Sequence, residues 1–238
     1  MSDHIVTSFD QELRELRNMI AEMGGLAEKS VADSVEALLK RDSQRAKAVI
    51  DLDASIDRLQ RQVEERAILI IAKRQPLALD LREIVSALRV ANDLERIGDL
   101  GKNVAKRVVA LNGNVQPAKI FGGFDHMADL VLGQLKQVLD AFAQRNIEEA
   151  LSVWRSDGEI DAMYTSLFRE LLTYMMEDPR NIGFCTHLLF CAKNIERIGD
   201  HATNIAETVH YLITGQSPIG ERPKNDTSLA VDLTAPAK

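Results

Sequence analysis

The sequence predicts an all-α protein of two tandem three-helix bundles, with six long helices packed as antiparallel neighbours. Three observations predict it. Apolar residues recur at helical spacing over long stretches. Gly and Pro are sparse, 13 and 6 of 238 residues, and the prolines fall between those stretches or in the tail. The chain also repeats itself at a period near one hundred residues, too long for a solenoid unit and right for a duplicated three-helix module.

The first helix is expected from about Phe9 to Lys40, with Leu13, Leu16, Ile20, Met23, Val31, Val35 and Leu38 on one stripe. Gly24-Gly25 marks a candidate kink within it. Asp42 or Ser43 caps a second helix, which carries Val49, Leu52, Ile56, Leu59 and Val63 and runs to about Arg74. Gln75-Pro76 ends it, because the residue before proline is pushed out of the helical region. A third helix carries Leu81, Ile84, Leu88 and Val104 and stops near Leu111, before the loop Asn112-Gly113-Asn114 and Pro117. The plan then recurs. Met127, Leu130, Leu135 and Val138 open a fourth helix ending near Gln144-Arg145, and Asn146 caps a fifth that reaches Glu177. Asp178-Pro179 closes the fifth, and Asn181 caps a sixth carrying Leu188, Leu189 and Tyr211. These boundaries give domains at 9–112 and 118–214, and a tail from 215 to 238 whose Pro, Gly, Ser, Thr and Lys predict disorder.

Leu94-Glu95-Arg96-Ile97-Gly98-Asp99 in the third helix returns as Ile195-Glu196-Arg197-Ile198-Gly199-Asp200 in the sixth, 101 residues later. Asn103 and Asn204 follow each copy. On the second and fifth helices Asp53 and Asp57 answer to Asp157 and Asp161, 104 residues apart. The three-residue difference is placed most simply at the Pro76 loop. Glu95, Asp99 and Asn103 are spaced i, i+4, i+8 and so line one stripe, as do Glu196, Asp200 and Asn204. Asp57 and Glu95 both lie ~27–30 Å from the turn that joins their helices, at ~1.5 Å rise per residue. The second half matches, so each bundle brings four carboxylates level on adjacent helices. Like charges four apart cost about 0.2–0.5 kcal/mol per pair. Either a bound cation or solvent with nearby Lys and Arg must offset that. Arg58, Arg96 and Arg197 are expected to point away, one residue step being ~100° round the helix. Oxygen ligands suit Mg, Ca, Mn or iron, with zinc possible. Gly98 and Gly199, ahead of each Asp, suggest close approach of another backbone or a bound cluster. His201 is read as a residue beside the stripe and Trp154 as core or interface.

Several functions are excluded or disfavoured. A formal charge of -7, 36 acidic against 29 basic residues, argues against nucleic acid as a partner. Cys185 and Cys191 form no CxxC and read as two core thiols, which points to a reducing cytosol. The polar segment Met1 to Asp10 lacks the features of a signal peptide, and no apolar run reaches the ~20 residues of a membrane span. A cytoplasmic, non-enzymatic protein is therefore expected. There is no G-x-S-x-G, P-loop, dinucleotide glycine run or HExxH, and no Glu-x-x-His pair of a di-iron bundle.

The doubled Leu/Ile-Glu-Arg-Ile-Gly-Asp motif with its Asn, together with Asp80-Leu81-Arg82, resembles the PhoU family of phosphate-uptake regulators over Phe9 to about Thr214. Asn181-Ile182-Gly183 departs from the Asp-Leu-Arg pattern in the second half. The resemblance implies two three-helix bundles related by a pseudo-twofold axis. It implies multinuclear clusters of iron or zinc, or manganese or magnesium, on Asp53, Asp57, Glu95, Asp99, Asp157, Asp161, Glu196 and Asp200, with Asn103 and Asn204 as further ligands. It implies negative regulation of phosphate transport and of the two-component phosphate-starvation response. The implied partners are the sensor histidine kinase, the ATPase subunit of the phosphate ABC transporter, and a second copy in a homodimer. Two other readings of the residues stand beside it. One is a metal-free helical interaction module whose acidic stripes are solvated. The other is a metal-dependent hydrolase with an open coordination position.

Overall fold

A computed structural model describes residues 2–111 and 121–216, so the Asn112-Gly113-Asn114 loop and the tail beyond 216 lie outside the described residues. Six α-helices occur in order: α1 (Ser2–Lys40), α2 (Ser43–Arg74), α3 (Ala78–Ala110), α4 (Gly122–Gln144), α5 (Ile147–Glu177) and α6 (Ile182–Thr214). There is no strand among the described residues. Among the described residues no helix is long and apolar enough to cross a membrane. Helices α1, α2 and α3 pack together, as do α4, α5 and α6, and α3 lies against α6 while α1 touches α4. The apolar core is continuous through both halves, from Leu16 and Met23 on α1 to Leu188 and Val209 on α6.

The duplication is visible in the turns. Arg41 and Arg145 both adopt left-handed φ of 55°, and the next residue caps the following helix. Asp42 Oδ1 accepts from the amides of Gln44 and Arg45 at 3.0 Å, and Asn146 Oδ1 accepts from those of Glu148 and Glu149 at 3.1 and 3.3 Å. Both caps match the reading from sequence. The other turns differ. Arg74 answers Asp178 in the register of the second helices, and Ala78 answers Pro179 in the register of the third. Residues 75–77, the α2–α3 turn, are therefore the three extra residues of the first half. In the second half Pro179–Asn181 forms a 3₁₀ turn that runs directly into α6. At the far end Gly215, with φ 79°, terminates α6 in the left-handed conformation that glycine adopts without strain.

The glycines of the interior serve packing. Helix α1 runs unbroken through Gly24-Gly25, and Gly24 leaves room for Leu139 of α4, whose Cδ1 lies 3.0 Å from where a Cβ would stand. Gly98 and Gly199 face neither a backbone nor a cluster. Each receives an isoleucine from the adjacent helix, Ile56 and Ile160, whose Cδ1 atoms would lie 2.7 Å from an added Cβ in both halves. This seats α2 tightly on α3 and α5 on α6, and places Asp57 and Asp161, the next residues along, beside the Glu-x-x-x-Asp motifs.

Candidate functional site

In the first half the close seating of α2 on α3 brings the acids together. Asp53 is buried and Asp57, Glu95 and Asp99 are half-buried. Burial raises the pKa of Glu95 above its ordinary value; Arg96 opposes this, while Asp99, Asp57 and Asp53 each add to it. The four carboxylates thus share one field, as the height matching anticipates. Lys102 enters that field. Its ammonium donates to Asp53 and to Asp99, bridging α2 and α3. Burial opposes its charge, but the two hydrogen bonds outweigh it and hold the lysine above its ordinary pKa. Arg96, expected to point away, reaches both Glu95 at 3.4 Å and Asp99 at 3.7 Å, because a long flexible side chain spans one residue step. Arg58 stays clear and donates to Ser55 at 3.3 Å.

The second half holds the same four acids in a drier setting. Asp157, Asp161 and Glu196 are buried, and Asp200 is half-buried. The position of Lys102 is taken by Thr203, fully buried, whose hydroxyl donates to Asp157 Oδ1 at 3.0 Å. Glu196 Oε1 accepts from Lys193 at 2.7 Å, and the Lys193 ammonium also lies over the Tyr164 ring, 4.8 Å from its centroid. Glu196 Oε2 is buried and has no hydrogen-bond partner. Burial raises the Glu196 pKa; the bond from Lys193 opposes this, and Asp200 and Asp161 add to the rise.

Asn103 and Asn204 each line a groove where α3 crosses α6, and Asn204 donates to Asp93 Oδ1 at 3.4 Å. His201 pairs with the same Asp93 oxygen at 2.9 Å, so it ties α6 to α3. Trp154, packed on the core, donates to Glu207 at 3.2 Å. Both cysteines are buried, and burial pushes the Cys191 thiol up to about 12, which makes it unreactive. Among the described residues no three Asp, Glu, His or Cys side chains close on one point as ligands of a single ion do.

Lys102, Lys193, Thr203 and Asp93 escape the sequence reading. Lys102 and Lys193 stand three residues from an acid of the motif, a spacing that by itself signals an ion pair on one helix. The reach of Lys102 to Asp53 on another helix has no sequence signal.

Helix order, doubled motifs and paired acids have counterparts in known proteins. The family description "PhoU domain" matches residues 20–108 and again 124–209. The chain is 62% identical to the "Phosphate-specific transport system accessory protein PhoU homolog" of Rhizobium meliloti, over 94% of each chain. It is 47% identical to the protein of that name from Caulobacter vibrioides, over 95% of this chain and 98% of the relative. The crystal structure of PhoU from Pseudomonas aeruginosa superposes with a TM-score of 0.83 at 41% identity, covering 87% of this chain and all of that one. That of the phosphate transport system regulatory protein PhoU from Streptococcus pneumoniae gives 0.80 at 30% identity, covering 88% of this chain and 99% of that one. With both halves matched and the motif helices in the same order, this chain belongs to the PhoU family.

Proposed function

We propose that this chain is a non-enzymatic accessory protein of a phosphate-transport system. In this reading it restrains the phosphate-starvation response as an adaptor between the phosphate ABC transporter, through its ATPase subunit, and a sensor histidine kinase. The observation that carries the reading is the 62% identity, over nearly the full length of both chains, to a protein named for that accessory role. A duplicated scaffold suits an adaptor, because it offers two similar but non-identical surfaces on one rigid core. The cytoplasmic side of the membrane and a homodimer belong to the same proposal.

The acidic clusters bear on how such an adaptor is controlled. Their donor sets differ in fitness for a cation. In the second half Glu196 keeps a buried oxygen without a partner amid Asp157, Asp161 and Asp200, the chemistry that a hard cation satisfies. The four acids do not close on one point, so they would hold a divalent or trivalent ion only once their side chains draw together; such an ion would supply positive charge at the α5–α6 seam. There Thr203 orients Asp157, and Lys193 shares Glu196 with the ion. In the first half the Lys102 ammonium already bridges Asp53 and Asp99, so a cation must compete with it for both. That observation favours a metal-free, structural role for the first cluster.

Two measurements test the proposal. Purified protein is expected to carry metal by elemental analysis and to lose thermal stability in chelator, since a ligand that binds only the folded state stabilises it by mass action. An unchanged melting midpoint would remove the metal from the account. Capture from phosphate-replete cells, with and without chelator, is expected to yield a histidine kinase and a transporter ATPase. Recovery of neither would remove the adaptor role.

A further inference from the structure

The two grooves where α3 crosses α6 are related by the internal repeat, yet they carry opposite charge. One, of about 410 Å³, contains Asp93 and Glu207, with Arg89 stacked 4.6 Å over Tyr211. The other, of about 380 Å³, is lined by Asn103, Lys106 and Arg107 of α3 and by His187, Phe190 and Asn194 of α6. In the 101-residue register Asn194 stands where the first groove has Asp93, Lys106 where it has Glu207, and Arg107 where it has Thr208. Every acid of one groove is thus an amide or a cation in the other. We propose that the basic groove is a binding site for a tetrahedral oxyanion of the phosphoryl class, free in solution or carried on another molecule.

The donor set supports this. No carboxylate lines the basic groove, and among the described residues neither Lys106 nor Arg107 forms an ion pair. The Arg107 guanidinium is pre-positioned, 4.3 Å over the Phe190 ring and with Nη1 3.4 Å from His187 Nδ1. Since arginine only donates, His187 accepts at Nδ1 and carries its proton on Nε2, which leaves a further donor. A planar guanidinium, an ammonium, an imidazole N–H and two carboxamides offer many donors to an anion. The guanidinium fork matches a pair of phosphoryl oxygens, which a halide lacks. In a chain of net charge -7 a solvent-exposed groove with this composition runs against the overall field, so its selectivity rests on these contacts.

The proposal is independent of the metal reading and is tested in chelator, where phosphate cannot bind through a metal. Inorganic phosphate is titrated into ¹⁵N-labelled protein, with sodium chloride at matched ionic strength as reference, following the side-chain N–H signals of Asn103, Asn194 and Arg107. Saturable shifts with phosphate and not with chloride are expected. Asn194→Asp and Lys106→Glu, which copy the acidic groove, should each weaken binding by about tenfold or more, the size of one lost charge-assisted hydrogen bond. Asp93→Asn, in the other groove, should leave the titration unchanged. If a phosphoserine peptide saturates these signals where free phosphate does not, the phosphoryl group is one carried by a partner. No saturable response to either probe, or variants that titrate like the parent, would overturn the site.

Discussion

The two acidic clusters share a fold, a glycine–isoleucine seat and four carboxylates, but they solve the problem of like charge differently. The first is half-buried and carries its own cation, Lys102, shared between Asp53 and Asp99. The second is drier, has Thr203 at that position, and leaves one buried oxygen of Glu196 unpartnered. One residue in a repeat therefore decides where a cluster meets its lysine: Lys102 bridges two aspartates across helices in the first half, whereas in the second Thr203 takes that place and Lys193 reaches Glu196 from its own helix. A duplicated motif does not imply a duplicated task.

The largest expected effect comes from removing the internal cation. Lys102→Met leaves Asp53, with 9% of its side chain exposed, facing Asp57, Glu95 and Asp99 without an ammonium. Unfolding stability in chelator, measured by urea denaturation, should fall by about 3 kcal/mol, the range for breaking a largely buried pair. A loss below about 1 kcal/mol would mean that solvent neutralises the first cluster as readily as lysine does. The variant should also become more sensitive to added divalent cation than its parent, approaching the second cluster in behaviour.

Thr203→Val is the matching change in the second half. It keeps the volume but removes the hydroxyl that Asp157 accepts from, at an expected loss of about 2 kcal/mol by the same measurement. A loss exceeding that of Lys102→Met would invert the comparison.

Gly101→Ala sharpens it at the level of packing, since the second half has Ala202 at the equivalent position. A Cβ at Gly101 would lie 2.8 Å from Ser30 Oγ and 3.4 Å from the Ser30 carbonyl carbon and oxygen. The carbonyl contacts are ordinary, so the conflict is with the fully buried Ser30 hydroxyl, which has little room to turn away. A loss of about 1–2 kcal/mol is expected from overpacking, against the gain of about 1 kcal/mol that replacing a mid-helix glycine otherwise brings. Greater stability in the variant would show that α1 yields there.

The smallest effect is in pH dependence. Glu95 and Glu196 both titrate above the ordinary 4.5 in the folded chain. From that pH up through the raised value the folded state binds more protons than the unfolded state. The contribution of these two groups to stability therefore falls as pH rises through the window, and the full penalty remains above it. Glu95→Gln and Glu196→Gln should flatten that fall in chelator relative to the parent, Glu196→Gln the more because Glu196 is the more buried. Parent and variant curves that run parallel would sink the assignment of burial as the cause.

Much of this was legible from residues alone. Helix boundaries at Lys40, Arg74, Gln144 and Glu177 coincide with the expected ones, because capping side chains and Pro76 and Pro179 act locally. That Asp53, Asp57, Glu95 and Asp99 act on one field follows from helical rise and period, but no three of them close on one point. Gly24-Gly25 does not interrupt α1; Gly24 leaves room for Leu139 of α4, a contact with no signal in the sequence. Gly98 and Gly199 were recognisable as close contacts, but not that isoleucine was the neighbour.

Sequence by itself determined what is periodic and local: six amphipathic helices, their breaks, the caps at Asp42 and Asn146 though not at Asn181, the internal repeat, and the acids it sets level on neighbouring helices. Only the tertiary structure decided which charges those acids meet. The pairing of Lys102 with Asp53, the tie from His201 to Asp93, and the divergence of Asn103 and Asn204 into oppositely charged grooves all depend on how one helix is rotated against another. That rotation is set by whole packed faces, by Ile56 seated on Gly98 and α3 laid across α6, and no spacing within a single helix encodes it.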